Sequence, residues 1–164
     1  NGYECFADPV SHERSLTLHK GDPLEGEPSH LSICDTLNAQ DRHRYELRFH
    51  LSSSCGVITK GHQVRITASG GRELILMTCA RSAQAGVTHL PGRIEQGWVS
   101  RGYTHREPAP VVVMEIEGRG PHTFMTIILP VSGAKRDDFL EGWLRETLGR
   151  KLVVEGSRSR ESSI

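Results

Sequence analysis

Neither sign of charge prevails in this chain of 164 residues: 20 Lys and Arg stand against 20 Asp and Glu. A balanced chain has no global field to draw in nucleic acid or an anionic membrane, so a polyanion would have to meet a local patch. Long apolar runs are missing too, and none approaches the ~20 residues needed to cross a bilayer as a helix. Aromatics are scarce, with four Phe, two Trp and three Tyr, and most fall at positions expected to be buried, which argues against a broad sugar-stacking platform. Four cysteines, Cys5, Cys34, Cys55 and Cys79, lack the C-x-x-C spacing of a zinc or redox site. Cys34 and Cys79 lie in apolar runs, where a thiol behaves as a small hydrophobe, so structural thiols are expected in preference to a disulfide. The chain opens at Asn1 with neither an initiator Met nor a charged-then-apolar leader, as a cut or processed end would.

What the chain does have is period-two alternation. Tyr45, Leu47, Phe49 and Leu51 alternate with Arg44, Glu46, Arg48 and His50, which puts an apolar set on one sheet face and a charged set on the other. The preceding run Leu31 to Leu37 reads as a strand, and the short polar side chains of 38–41 suit a turn, so a hairpin is expected there. Val10 to Leu18 is an earlier strand, closed off by the Gly and Pro of residues 21–28. His62 to Ala68 places Val64, Ile66 and Ala68 on one face, Gly70-Gly71 is a natural hairpin turn, and Glu73 to Ala80 is apolar on both sides, as a strand covered on two faces would be.

Residues 81–110 suggest short strands and an irregular crossing. Val111 to Glu117 and His122 to Pro130, rich in β-branched residues, flank 118–121 as a second expected hairpin. From Lys135 to Lys151, Phe139, Leu140, Trp143, Leu144 and Leu148 recur at helical spacing. The prediction is one antiparallel β-sandwich domain over 1–151 with a C-terminal amphipathic helix at 135–151, followed by a flexible tail at 152–164. The length fits one domain, since domains cluster around ~100–150 residues.

Chemistry is sparser. Nine histidines make no metal-ligand pattern; His43 and His50 lie an odd number of residues apart on one strand and face opposite ways. No metal or cofactor is expected. There is no G-x-S-x-G elbow to expose a serine nucleophile, and glycine-rich pieces such as Gly118-Arg119-Gly120 are better read as turns. The strip Arg44, Arg48 and His50 is the candidate for binding carboxylates or sulfates, because guanidinium forks pair with such groups bidentately. With Glu46 among them, the competing expectation is a solvated face of cross-strand ion pairs, each worth about 0–1 kcal/mol.

In combination and in order, these segments resemble the C-terminal β-sandwich of the heparinase II/III family of polysaccharide lyases. The resemblance is carried by Val10-Ser11-His12-Glu13-Arg14, by Leu31 to Leu37 with Asp35, by Phe49-His50-Leu51, by Gly97-Trp98-Val99-Ser100 with Tyr103 and Arg106, and by Thr126 to Pro130. It implies β-elimination on acidic, uronic-acid-containing polysaccharide such as glycosaminoglycan or alginate, in a bacterial, periplasmic or secreted setting. In that family a helical toroid domain supplies one wall and a tyrosine, and an early sandwich strand supplies an H-A-D or H-x-H motif. Neither motif occurs here. The resemblance therefore implies a sandwich portion that is inactive alone, with no catalytic residue carried over and with His12, Arg14, Asp35 and His50 at mostly structural positions. Its expected partners are the polysaccharide and an upstream toroid of the same protein. Self-association through the strand at Ser11 to Leu18 is a further expectation, since an open sheet edge invites pairing; the helix would cover the opposite side through Phe139, Trp143 and Leu144. The alternative is a non-catalytic carbohydrate-binding or assembly sandwich.

Overall fold

The computed structural model describes residues 7–22, 28–82, 85–131 and 136–149. Its elements are β1 (Ser11–His19), β2 (His30–Asn38), β3 (Arg42–His50), β4 (Gly56–Lys60), β5 (Gln63–Thr67), β6 (Glu73–Ser82), β7 (Gly86–Leu90), β8 (Arg93–Gly102), β9 (His105–Arg119), β10 (His122–Pro130) and α1 (Arg136–Gly149). They form an antiparallel β-sandwich. One sheet runs β1-β2-β10-β6-β5-β4, with β7 on the far half of β6; the other runs β3-β9-β8.

Alternation sets the facing layers. In β3, Tyr45 and Leu47 are buried while Arg44, Glu46 and Arg48 are exposed, as a period of two requires. Tyr45, Leu47, Val112 and Met114 meet Val64, Leu76 and Phe124 between the sheets. A second cluster lies on the outer face of the larger sheet, where Phe139, Leu140 and Trp143 of α1 cover Ile75, Met77, Ile127 and Leu129. That helix explains why β6 is apolar on both sides. The side chains of Leu144 and Leu148, the tail at 152–164 and Cys5 lie outside the described residues. Cys34, Cys55 and Cys79 are free thiols, and burial pushes the Cys79 thiol up to about 11.

Both turns expected at 38–41 and 118–121 as hairpins are instead crossovers between layers. β2 pairs with β1 and β10, whereas β3 pairs with β9; likewise β9 belongs to the smaller sheet and β10 to the larger. A short polar loop serves an arch as well as a hairpin, and here burial decides, because Tyr45 and Leu47 must face Phe124 across the core. The two arches pack together: a Cβ on Gly120 would stand 2.8 Å from the Ala39 carbonyl oxygen. Residues 81–110 prove more regular than expected, since β8 and β9 form a long hairpin with a register irregularity between Val99 and Gly102. Strand β4 was absent from the sequence reading; only Val57 is half-buried in it, so it shows no apolar rhythm.

Candidate functional site

The smaller sheet does not reach across the larger one, and the edge strands β1 and β3 flank a slot of about 380 Å³ lined by Val10, His12, Arg14, His43, Tyr45 and Phe124, together with Arg44, Glu46 and Arg48. Asp35 holds its β1 side in place. Its side chain is fully buried, with His12 Nε2 and Arg14 Nε each 2.6 Å from Oδ1, and Arg14 Nη2 donates to Oδ2 at 3.2 Å. The register sets Arg14 directly opposite Asp35 and His12 opposite Leu37, so both side chains reach the carboxylate from one strand face. The sequence signal for this cluster is an aspartate at the apolar parity of its strand, between Ile33 and Leu37.

Asp8 does the same work beside the crossover that leads into β3. It accepts from the backbone N–H of Asp41 at 2.7 Å and of Gln40 at 3.2 Å, and His43 Nε2 lies 2.7 Å away. The His43 hydrogen bond, then that of the Asp41 amide, lowers the Asp8 carboxyl below its ordinary value. Tyr45 is buried, and burial raises its phenol, which keeps the hydroxyl protonated and unsuited to act as a phenolate base. Its oxygen and both ring nitrogens of neighbouring His122 have no hydrogen-bond partner among the described residues.

The strip Arg44, Arg48 and His50 lies on the outer face of β3, as its parity predicts. There the structure also brings together carboxylates from neighbouring strands. Arg44 Nη2 is 2.7 Å from Glu46 and 2.9 Å from Glu115; Arg48 is 2.8 Å from Glu46 and 2.6 Å from Glu95; Arg93 joins Glu95 and Glu115. Arg93, then Arg44, lowers the Glu115 carboxyl. On the same face Val111 and Val113 are buried. His50, exposed at the end of β3, stands apart from the network. Two aromatic residues depart from the expectation of burial: Trp98 is 51% and Tyr103 97% exposed.

These features define an antiparallel sandwich domain with a slot open at one side, whose lining arginines and histidines are each already engaged by a carboxylate of the chain. The sequence matches the family described as Heparinase II/III-like, C-terminal, over residues 1–155, and the chain belongs to that family. A heparinase III crystal structure is similar at TM-score 0.51 and 15% identity, covering 79% of this chain and 22% of its own. A second heparinase III structure gives 0.51 and 11% over 78% and 22%. The heparan sulfate lyase HepC from Pedobacter heparinus gives 0.50 and 15% over 76% and 22%. At these identities the likeness is one of fold, and the chain corresponds to 22% of each relative's length. No curated protein matched the sequence.

Proposed function

We propose that this chain is the C-terminal sandwich of a polysaccharide lyase that cleaves acidic, uronic-acid-containing polysaccharide by β-elimination, and that it is inactive alone. Such a reaction needs a base to take the proton beside the carboxylate and a group to neutralise that carboxylate as charge builds in the transition state. The observation that carries the second half is the pairing in the slot: His12 and Arg14 on Asp35, His43 on Asp8, Arg44 and Arg48 on Glu46. Side chains so engaged build a wall, and the reacting groups must come from another part of the polypeptide, on this reading an upstream helical toroid facing the slot. Arg44 and Arg48 would take a sugar carboxylate or sulfate by exchange with their glutamates; His50 would meet it directly.

The β1 edge fits this assembly. All nine of its residues are exposed, with Leu16 at 61% and Leu18 at 68%, and its free side is open to a further strand. The upstream portion of the same protein is the proposed occupant, with a second copy as the competitor; sedimentation across a wide concentration range separates the two.

The test of activity is absorbance of the unsaturated uronic product, measured with glycosaminoglycans and with alginate. The complete gene product should turn over at least one of them and the chain alone none. Turnover by the isolated chain would refute its inactivity, and no turnover by the complete product on any acidic polysaccharide would refute the lyase reading.

A further inference from the structure

The β8–β9 hairpin overhangs the rest of its sheet. Residues 111–119 of β9 pair with β3, whereas among the described residues the other edge of 105–110 meets only the 51–53 segment, Leu51 N–H donating to the Pro110 carbonyl at 3.1 Å and Ser53 Oγ to Glu107 at 2.8 Å. On this arm Trp98 lies opposite Pro108, so Arg106, two residues from Pro108, shares its face. The Arg106 guanidinium carbon stands 4.6 Å from the Trp98 ring centroid. Tyr103, at the tip, is almost wholly exposed. The charge on this face differs from that of the ion-pair net on β3 and β8. The arginines of β3 and β8 are taken up by glutamates, Arg101 by Glu107 among them, whereas Arg106 has no carboxylate partner among the described residues.

We propose that Trp98, Arg106 and Tyr103 form a binding ledge for an acidic sugar unit of a polysaccharide, distinct from the slot. The proposal rests on the substrate class proposed above and not on catalysis. A guanidinium stacked on an indole keeps its N–H donors in plane and pointing outward, free to take a carboxylate or sulfate bidentately. An exposed ring beside it offers an apolar face with little rotamer entropy to lose. A uronic or sulfated pyranose presents the matching pair, a C–H face and an anionic group on the same ring. Two rings and one uncompensated cation make a small, charged patch, unlike the apolar surface of several hundred Å² that marks a protein interface. The ledge would hold a polymer at the overhang while the slot faces the reacting groups.

The experiment measures binding of the 164-residue chain to immobilised heparin, alginate and neutral dextran, for wild type, Trp98→Ala, Arg106→Gln and, as a control outside both the slot and the ledge, Arg72→Gln at the turn between β5 and β6. All three side chains are exposed, and thermal unfolding verifies that each variant is folded. Wild type should bind the two anionic polymers and not dextran; Trp98→Ala and Arg106→Gln should each bind roughly tenfold more weakly, with a shallower salt dependence for Arg106→Gln, and Arg72→Gln should resemble wild type. Unchanged binding in both ledge variants overturns the proposal. So does a wild-type chain that binds neither anion; shielding of Trp98 from a fluorescence quencher by the upstream part of the gene product would then make the ledge a protein contact. Product absorbance from the complete protein judges the lyase reading separately: turnover with ledge-independent binding sinks the ledge alone, and ledge-dependent binding without turnover sinks the lyase reading alone.

Discussion

Arg14 Nε stands 2.6 Å from Oδ1 of Asp35, a carboxylate with no exposed side-chain surface. Removing one partner of such a pair leaves a charge that water cannot reach, which costs more than the pair contributes. Arg14 itself is 44% exposed, and His12 still touches the carboxylate, so Arg14→Leu should lower stability by about 2–3 kcal/mol rather than by the full cost of a buried pair. Arg14→Leu with Asp35→Leu should recover part of that loss. Urea unfolding of both single variants and the double decides it; a double variant no more stable than Arg14→Leu would mean that Asp35 does not carry an unmet charge.

Gly120 joins the two arches. A Cβ there would sit 2.8 Å from the Ala39 oxygen and 2.9 Å from its nitrogen, and both are backbone atoms that cannot rotate away. Gly120→Ala should therefore force the crossovers apart and cost about 2–3 kcal/mol, the range of an overpacked core. Gly61→Ala offers a comparison: it has open space around its Cβ but a φ of 59°, so its cost is backbone strain of about 1–2 kcal/mol. Equal losses in the two variants would show that the arches yield.

The alternation in β3 and β5 and the two-sided burial of β6 were legible because one residue's neighbours at i and i+2 report its face. Which strand lies beside which was legible at Gly70-Gly71, where β5 turns into β6, but not at the two arches. The loops 39–41 and 120–121 have the local chemistry of hairpin turns, and only the need of Tyr45 and Leu47 to meet Phe124 from the other layer makes them arches. The site divides in the same way. Parity placed Arg44 and Arg48 outward, but Glu95 and Glu115, which neutralise them, come from strands distant in sequence. Asp35 was visible as an acid at an apolar position, while the identity of its partners depended on the β1–β2 register. The 51% exposure of Trp98 was not legible either, because parity says which face a side chain takes and not what lies across from it.

Acid should loosen the fold in two separate windows. His122 is 2% exposed, and burial lowers its pKa from the ordinary 6.5; the carbonyls of Gly118 and Arg119 oppose the shift without reaching hydrogen-bond geometry. Burial, then nearby His62, lowers His89 as well. A histidine depressed in the folded state binds fewer protons there than when unfolded, so its contribution is complete above about pH 6.5 and is lost as pH falls below that value. The lowered carboxyls of Asp8, Glu107 and Glu115 lose theirs only further down, below about pH 4.5. Thermal midpoints should thus already fall between about pH 7 and 5, and His122→Phe, which keeps a ring against Tyr45, should flatten that limb. An unchanged slope in the variant would assign the effect elsewhere.

The β8–β9 turn stores strain at one residue. Gly102 pairs with His105, leaving Tyr103 and Thr104 as a two-residue loop, and Thr104 has a φ of 66°. A β-branched side chain in the left-handed region crowds its own backbone at a cost of about 1–2 kcal/mol. Glycine adopts the same φ freely but gives up more freedom on folding, which returns roughly 0.5–1 kcal/mol of that relief. Thr104→Gly should therefore raise the stability of the chain by about 0.5–1 kcal/mol, read as a higher urea midpoint at unchanged slope. Thr104→Val keeps the branch at the same φ and should bring no gain. A midpoint that drops in Thr104→Gly would show that the Thr104 side chain makes a contact stronger than the strain it bears.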